Sequence, residues 1–162
     1  GSELEYFEAS FFGNYHEQIF LPLVFSMSWS GATRLPLLGR PTLPIQERLF
    51  LGGAGSVRSF TLDQLGPVGQ TGEVIGGLTS AEVTTELRVQ IVESFHLAAF
   101  YDLGVVSRDT LSIEGTWGQA IGAGARYYLP IGPIRLDLAY NPGDVSVTRR
   151  RWVLHFAVGF SY

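Results

Sequence analysis

EVTTELRVQIVESFHLAAFYDLG, residues 82–104, decides the fold. Val83, Thr85, Leu87, Val89 and Ile91 fall on one side of an extended backbone and Glu82, Thr84, Glu86, Arg88 and Gln90 on the other, because successive strand side chains point to opposite faces. Glu93 and Ser94 leave room only for a tight turn. Beyond it Phe95, Leu97, Ala99, Tyr101, Leu103 and Val105 oppose His96, Ala98, Phe100, Asp102 and Gly104. The period is two throughout, which predicts a pair of long antiparallel strands.

The same pattern extends in both directions. Downstream, a loop at 107–116 leads to a run in which Ile121, Ala123, Ala125, Tyr127 and Leu129 oppose Gly122, Gly124, Arg126 and Tyr128. A short turn at 130–133 follows, and then Ile134, Leu136, Leu138 and Tyr140 oppose Arg135, Asp137 and Ala139. After a loop at 141–150, Trp152, Leu154, Phe156, Val158, Phe160 and Tyr162 oppose Arg151, His155, Ala157, Gly159 and Ser161. Upstream, residues 3–15 set Phe7, Ala9, Phe11 and Tyr15 against Glu8, Ser10 and Asn14, and a turn is expected at 14–18. Residues 19–30 carry Ile19, Leu21, Leu23, Phe25, Met27 and Trp29 on one face; Pro22 cannot donate to a ladder and predicts a bulge or a strand start. Residues 31–73 hold no sustained period and far exceed a hairpin loop of about two to five residues.

Composition narrows the class. The 162 residues fit one domain, 3–162, behind a Gly-Ser pair at 1–2 read as a cloning scar. With no cysteine there is neither a disulfide framework nor a thiolate metal site. A net charge of -4 disfavours a nucleic-acid partner, whose phosphates select basic surfaces. Charged residues make up only 16%, against roughly 25% in ordinary soluble domains. No apolar run reaches the ~18 residues of a transmembrane helix, so a barrel is the remaining way to cross a bilayer.

Periodicity alone does not choose between a soluble sandwich, with its apolar face inside, and a transmembrane barrel, with that face to lipid. Length and rim do. The runs approach the ~9 to 11 residues that span a bilayer as tilted strands, and several end in aromatics (Trp29, Trp117, Tyr140, Trp152, Tyr162) suited to an interfacial girdle. Short turns alternate with long loops, as in outer-membrane barrels. The expected fold is all-β: an antiparallel transmembrane β-barrel segment of seven or eight strands, the eighth supplied only if residues 48–60 form a strand. An odd count puts the two chain ends on opposite sides of the membrane. Such a segment is either half of a larger barrel or a small barrel that self-associates with a second copy.

RLFLGGAGSVRSF, residues 48–60, places a glycine cluster and Arg58 in the long connection. The expectation is a loop, 31–73, that folds inward into a wet lumen, where Arg58 meets acidic groups on the wall. Gly52, Gly53 and Gly55 do not make a phosphate loop, since neither a helix nor a Lys-Ser/Thr pair follows. His16, His96 and His155 read as lumen hydrogen-bonding groups, because no serine sits in a nucleophile setting and the strands of His96 and His155 are not adjacent. No catalytic residue, metal site or cofactor is assigned. Arg149, Arg150 and Arg151 read as a solvated rim, with outer-leaflet lipid phosphates as their functional alternative.

These segments together resemble the C-terminal barrel region of the BamA/TamA superfamily, the bacterial surface-antigen proteins that insert β-barrels into outer membranes. LGGAGSVRSF is similar to the family's inward loop with its Val-Arg-Gly-aromatic tip, although Ser59 stands where glycine is usual. FYDLG at 100–104 resembles the Phe-x-Asp-x-Gly strand, and GAGARYYLPIGPIRLDLAY at 122–140 the glycine-rich hairpin with Pro-x-Gly-Pro. The resemblance implies a loop lock in which Arg58 contacts Asp102, with Glu86 close by and Phe100 on the same interior face. Val57, Ser59 and Phe60 complete the loop tip. It implies a native barrel of about sixteen strands, wide enough for a returning loop, where an eight-stranded barrel is filled by its own side chains. Phe156, Phe160 and Tyr162 of the last run read as a lipid-facing strand, or as a C-terminal strand signal that assembly machinery recognises by strand addition. The function implied is assembly of proteins into the outer membrane of a Gram-negative bacterium, with lipid and client β-barrels as partners. A polypeptide-secretion pore or a plain anchoring barrel are the alternatives.

Overall fold

A computed structural model describes residues 6–37, 43–130, 132–143 and 150–158. Seven antiparallel strands form one sheet in sequential order: β1 (Tyr6–Phe20), β2 (Leu23–Pro36), β3 (Thr79–Val92), β4 (Phe95–Ser107), β5 (Thr116–Leu129), β6 (Gly132–Tyr140) and β7 (Trp152–Val158). Among the described residues β1 and β7 do not pair with each other, so the sheet is an open stretch of barrel wall.

The alternation read from sequence sets which face is which. On β4, Ala98, Phe100, Asp102 and Gly104 are buried beneath the long loop, while Leu97 and Tyr101 are exposed. The register carries this face across the sheet: Glu86 opposes Phe100, Phe100 opposes Gly122, and Gly124 opposes Asp137. The other face is an apolar band that includes Leu87, Leu97, Ile121, Leu136, Leu138, Leu154 and Phe156, all exposed. Trp117 and Trp152 stand at the loop ends of β5 and β7, and Tyr140 packs on Trp152 with ring centroids 4.8 Å apart, which builds the expected aromatic rim. Gln119, a polar residue on the outer face, is satisfied there by the Tyr101 hydroxyl at 3.1 Å.

Three expectations shift. The turn expected at 14–18 does not form, because β1 runs through it to Phe20 and the chain reverses at Leu21 and Pro22. Asn14 and His16 are lumen lining on an unbroken strand, with His16 Nδ1 2.9 Å from Ser26 Oγ, and their polarity mimics a turn. Pro22, lacking an N–H, directly precedes β2. Residues 48–60 add no eighth strand. They make only isolated bridges, Leu49 with Gly77 and Leu51 with Leu65, because Gly52 and Gly53 adopt φ of 110° and 108° and end any extended run. Finally, β2 continues past Gly31 to Pro36 and β3 begins at Thr79, which moves both ends of the connection toward the C-terminus.

Candidate functional site

The connection between β2 and β3 lies on the lumen face and turns its tip into the wall. Gly53 N–H donates to the Phe60 carbonyl at 3.0 Å and Phe60 N–H to Val57 at 3.1 Å, closing a compact reversal around Val57–Phe60. A Cβ at Gly52 would sit 2.6 Å from the Thr61 carbonyl oxygen, so the turn into this reversal requires glycine. Leu51, Val57, Phe60 and Leu65 of the loop pack with Phe100, Val106, Ala120 and Ala139 of the wall, and this small apolar cluster is the core of the plug. The wall makes room with small residues. Side chains at Gly104 or Gly118 would come within 2.7 Å of Val57 or 2.6 Å of Phe60.

Arg58, 2% exposed, is clamped at the centre. Its Nε donates to Asp102 Oδ2 at 2.9 Å and its Nη2 to Oδ1 at 2.7 Å, while its backbone N–H adds a third bond to Oδ2 at 3.0 Å. Nη1 reaches Glu86 at 3.1 Å, and the guanidinium carbon lies 3.4 Å from the Phe100 ring centroid. The fork geometry of guanidinium and the π-face of the ring explain why arginine serves here and lysine would not. His155 Nε2 lies 2.7 Å from the Arg58 carbonyl oxygen, which can only accept, so that nitrogen carries the proton. The Ser59 hydroxyl donates to the Gln119 carbonyl at 2.6 Å, and Ser59 is not among the described non-glycine residues with positive φ. Serine at this place therefore contributes a tether in exchange for glycine's freedom.

A second set of charges braces the first. Arg126 bridges Glu86 at 2.9 Å and Asp137, Arg135 reaches Asp137 at 2.9 Å, and Arg88 reaches Glu86 at 3.0 Å. The Ser56 hydroxyl donates to Glu82, whose other oxygen accepts from Ser30 at 3.0 Å. Both oxygens of Glu86 and of Asp102 accept from guanidinium groups, so these carboxylates act as clamps and not as proton-transfer bases.

The structure thus brings together Arg58, Asp102, Glu86 and Phe100 with Val57, Ser59 and Phe60. Phe156 lies elsewhere, exposed on the outer face of β7, while Phe160, Tyr162 and Arg149 lie outside the described residues. Arg150 and Arg151 are exposed, and Arg151 donates to the Tyr140 hydroxyl at 3.3 Å. The alternation of the strands puts Arg126, Asp137 and His155 on the lumen face but does not assign them to the clamp. Their shared face was readable, but the register that sets them beside Glu86 and Arg58 was not.

A model of the Omp85 superfamily domain matches residues 1–162. The sorting and assembly machinery component 50 homolog of Bos taurus is 32% identical over 77 residues, which is 48% of this chain and 16% of that protein. Its Homo sapiens counterpart is 30% identical over the same length and coverage. Among solved structures, BamA from Haemophilus ducreyi lacking POTRA domains 1-3 superposes with a TM-score of 0.75 at 17% identity, covering 95% of this chain and 35% of that one. That likeness is one of fold.

Proposed function

The chain belongs to the Omp85 superfamily, and from that premise we propose that it is the C-terminal barrel wall of a factor that assists insertion of β-barrel proteins into the outer membrane of Gram-negative bacteria. The observation that supports this most is the Arg58 clamp. It ties one inward loop to Glu86 on β3, Asp102 on β4, Asp137 on β6 and His155 on β7, and so holds these strands to a common plug while leaving the free edges to open. The mechanism is physical. An opened edge at β7 offers unpaired backbone groups to a client strand, which adds by antiparallel pairing while its apolar side chains enter lipid. Phe156 and its neighbours on the outer face stand at that boundary. The partners in this reading are outer-membrane lipid, client β-barrels and the remainder of a barrel of about sixteen strands.

The test is Arg58→Ala in the natural full-length protein, assayed for client insertion into liposomes. A loss of assembly with the barrel itself still folded, as judged by heat-modifiable electrophoretic migration, is expected. Wild-type assembly by that variant contradicts a working role for the clamp.

A further inference from the structure

Between the plug and the turn-side half of the wall lies a cavity of about 480 Å³. The charged groups on its lining are the guanidiniums of Arg58, Arg88, Arg126 and Arg135 and the single carboxylate of Glu86. Behind them stand Asp102, which Arg58 takes up, and Asp137. Glu82 serves the plug end of the lining, where it accepts from Ser30 and from the cavity-lining Ser56, and it sits six residues along β3 from Arg88, roughly 20 Å by strand rise. At the other end the three cations Arg88, Arg126 and Arg135 meet the two anions Glu86 and Asp137 among the described residues, and one positive charge is left over there.

The imbalance is concentrated at one place. Arg126 and Arg135 are directly opposed across β5 and β6, a like-charge pair that repels unless an anion lies between them. Asp137 serves both, and serves Arg58 as well at 3.6 Å. Arg135 Nε is buried and has no hydrogen-bond partner among the described residues. Arg88, a quarter exposed, holds Glu86 at 3.0 Å and the Tyr128 hydroxyl at 3.3 Å and no third side chain among the described residues. Hydroxyls of Ser26, Ser28 and Thr84 line the same space.

We propose that this cavity is an oxyanion-binding site, in which a phosphate-type group is held by Arg88, Arg126 and Arg135. Guanidinium donors gathered around one space suit the three acceptor oxygens of such a group, which supplies the missing negative charge. Two sources share that chemistry, a free oxyanion and the phosphate of a lipid headgroup. The site does not depend on the assembly role, because it rests on charge balance within the lumen.

The experiment uses the natural full-length protein in nonionic detergent, with thermal unfolding followed by tryptophan fluorescence. Inorganic phosphate and, in a second arm, short-chain phosphatidylglycerol are titrated at ionic strength matched with sodium chloride. Saturable stabilisation by either probe beyond the chloride control is expected, and which probe works identifies the source. Arg88→Gln, which leaves the Arg58–Asp102 clamp intact, and Arg135→Gln each weaken apparent binding on the order of tenfold or more. Arg108→Gln, at an exposed site outside the cavity, does not. No saturable effect from either probe, or full binding by both Arg88→Gln and Arg135→Gln, overturns the proposal.

Discussion

Arg58 and Asp102 show why a buried ion pair is held for specificity and not for stability alone. Both side chains are almost wholly enclosed, so their desolvation offsets most of the attraction between them, and the geometry decides the sign. Here the carboxylate accepts three bonds from one residue, two from the fork and one from its backbone N–H. Asp102→Asn places an amide NH₂ where at least one donor already points, whichever way the amide turns, and removes the charge that faces the guanidinium. It is expected to cost about 3 to 5 kcal/mol in denaturant unfolding of the detergent-solubilised protein. A cost below about 1 kcal/mol would mean that Glu86 and Asp137 alone hold the cation. Gly122 makes the same argument without charge. A side chain there overlaps the Phe100 ring and the Leu138 carbonyl, and Phe100 is the surface on which Arg58 rests. Gly122→Val is expected to destabilise by about 1 to 3 kcal/mol through overpacking, measured in the same way.

At the scale of elements, the inward loop is coupled to the wall through a few residues at its tip. Arg58 is enclosed while the clamp is closed, so trypsin has no access to the bond after it. In Asp102→Asn, limited trypsinolysis is expected to yield a new cut after Arg58, with β3 to β7 still protected. An unchanged digest would show that the apolar cluster of Val57, Phe60 and Leu65 suffices to hold the tip. The strands themselves were legible, because residues 83–91 and 95–103 keep a period of two and every charged residue in them falls on one face. The β1–β2 turn was not. Asn14, His16 and Gln18 carry turn-like polarity, yet they fall on alternate positions of one strand, where Asn14 and His16 line the lumen, and it is pairing with β2, His16 with Ser26 among others, that reveals the strand. The clamp was legible in part for a related reason. One face of the alternation named the residues that line the bore, but neighbours such as Arg126 beside Arg135 are set by register, which no local pattern encodes.

The whole molecule is an inside-out sheet: apolar side chains form its outer band, and charge is gathered on the concave side around a plug. Seven strands in an open sheet describe part of a barrel wall, in agreement with the extent of the fold shared with the solved barrel. The three tryptophans of the chain, Trp29, Trp117 and Trp152, all lie on the outer face, with exposures of 37%, 53% and 59%. They are therefore native reporters of what that face meets. The decisive measurement is the quenching of their fluorescence in reconstituted vesicles by lipids brominated on the acyl chains, set against quenching by aqueous iodide. Strong quenching by the brominated chains with protection from iodide is predicted. Free access of iodide with no effect of bromine would place the apolar face in water and contradict the account.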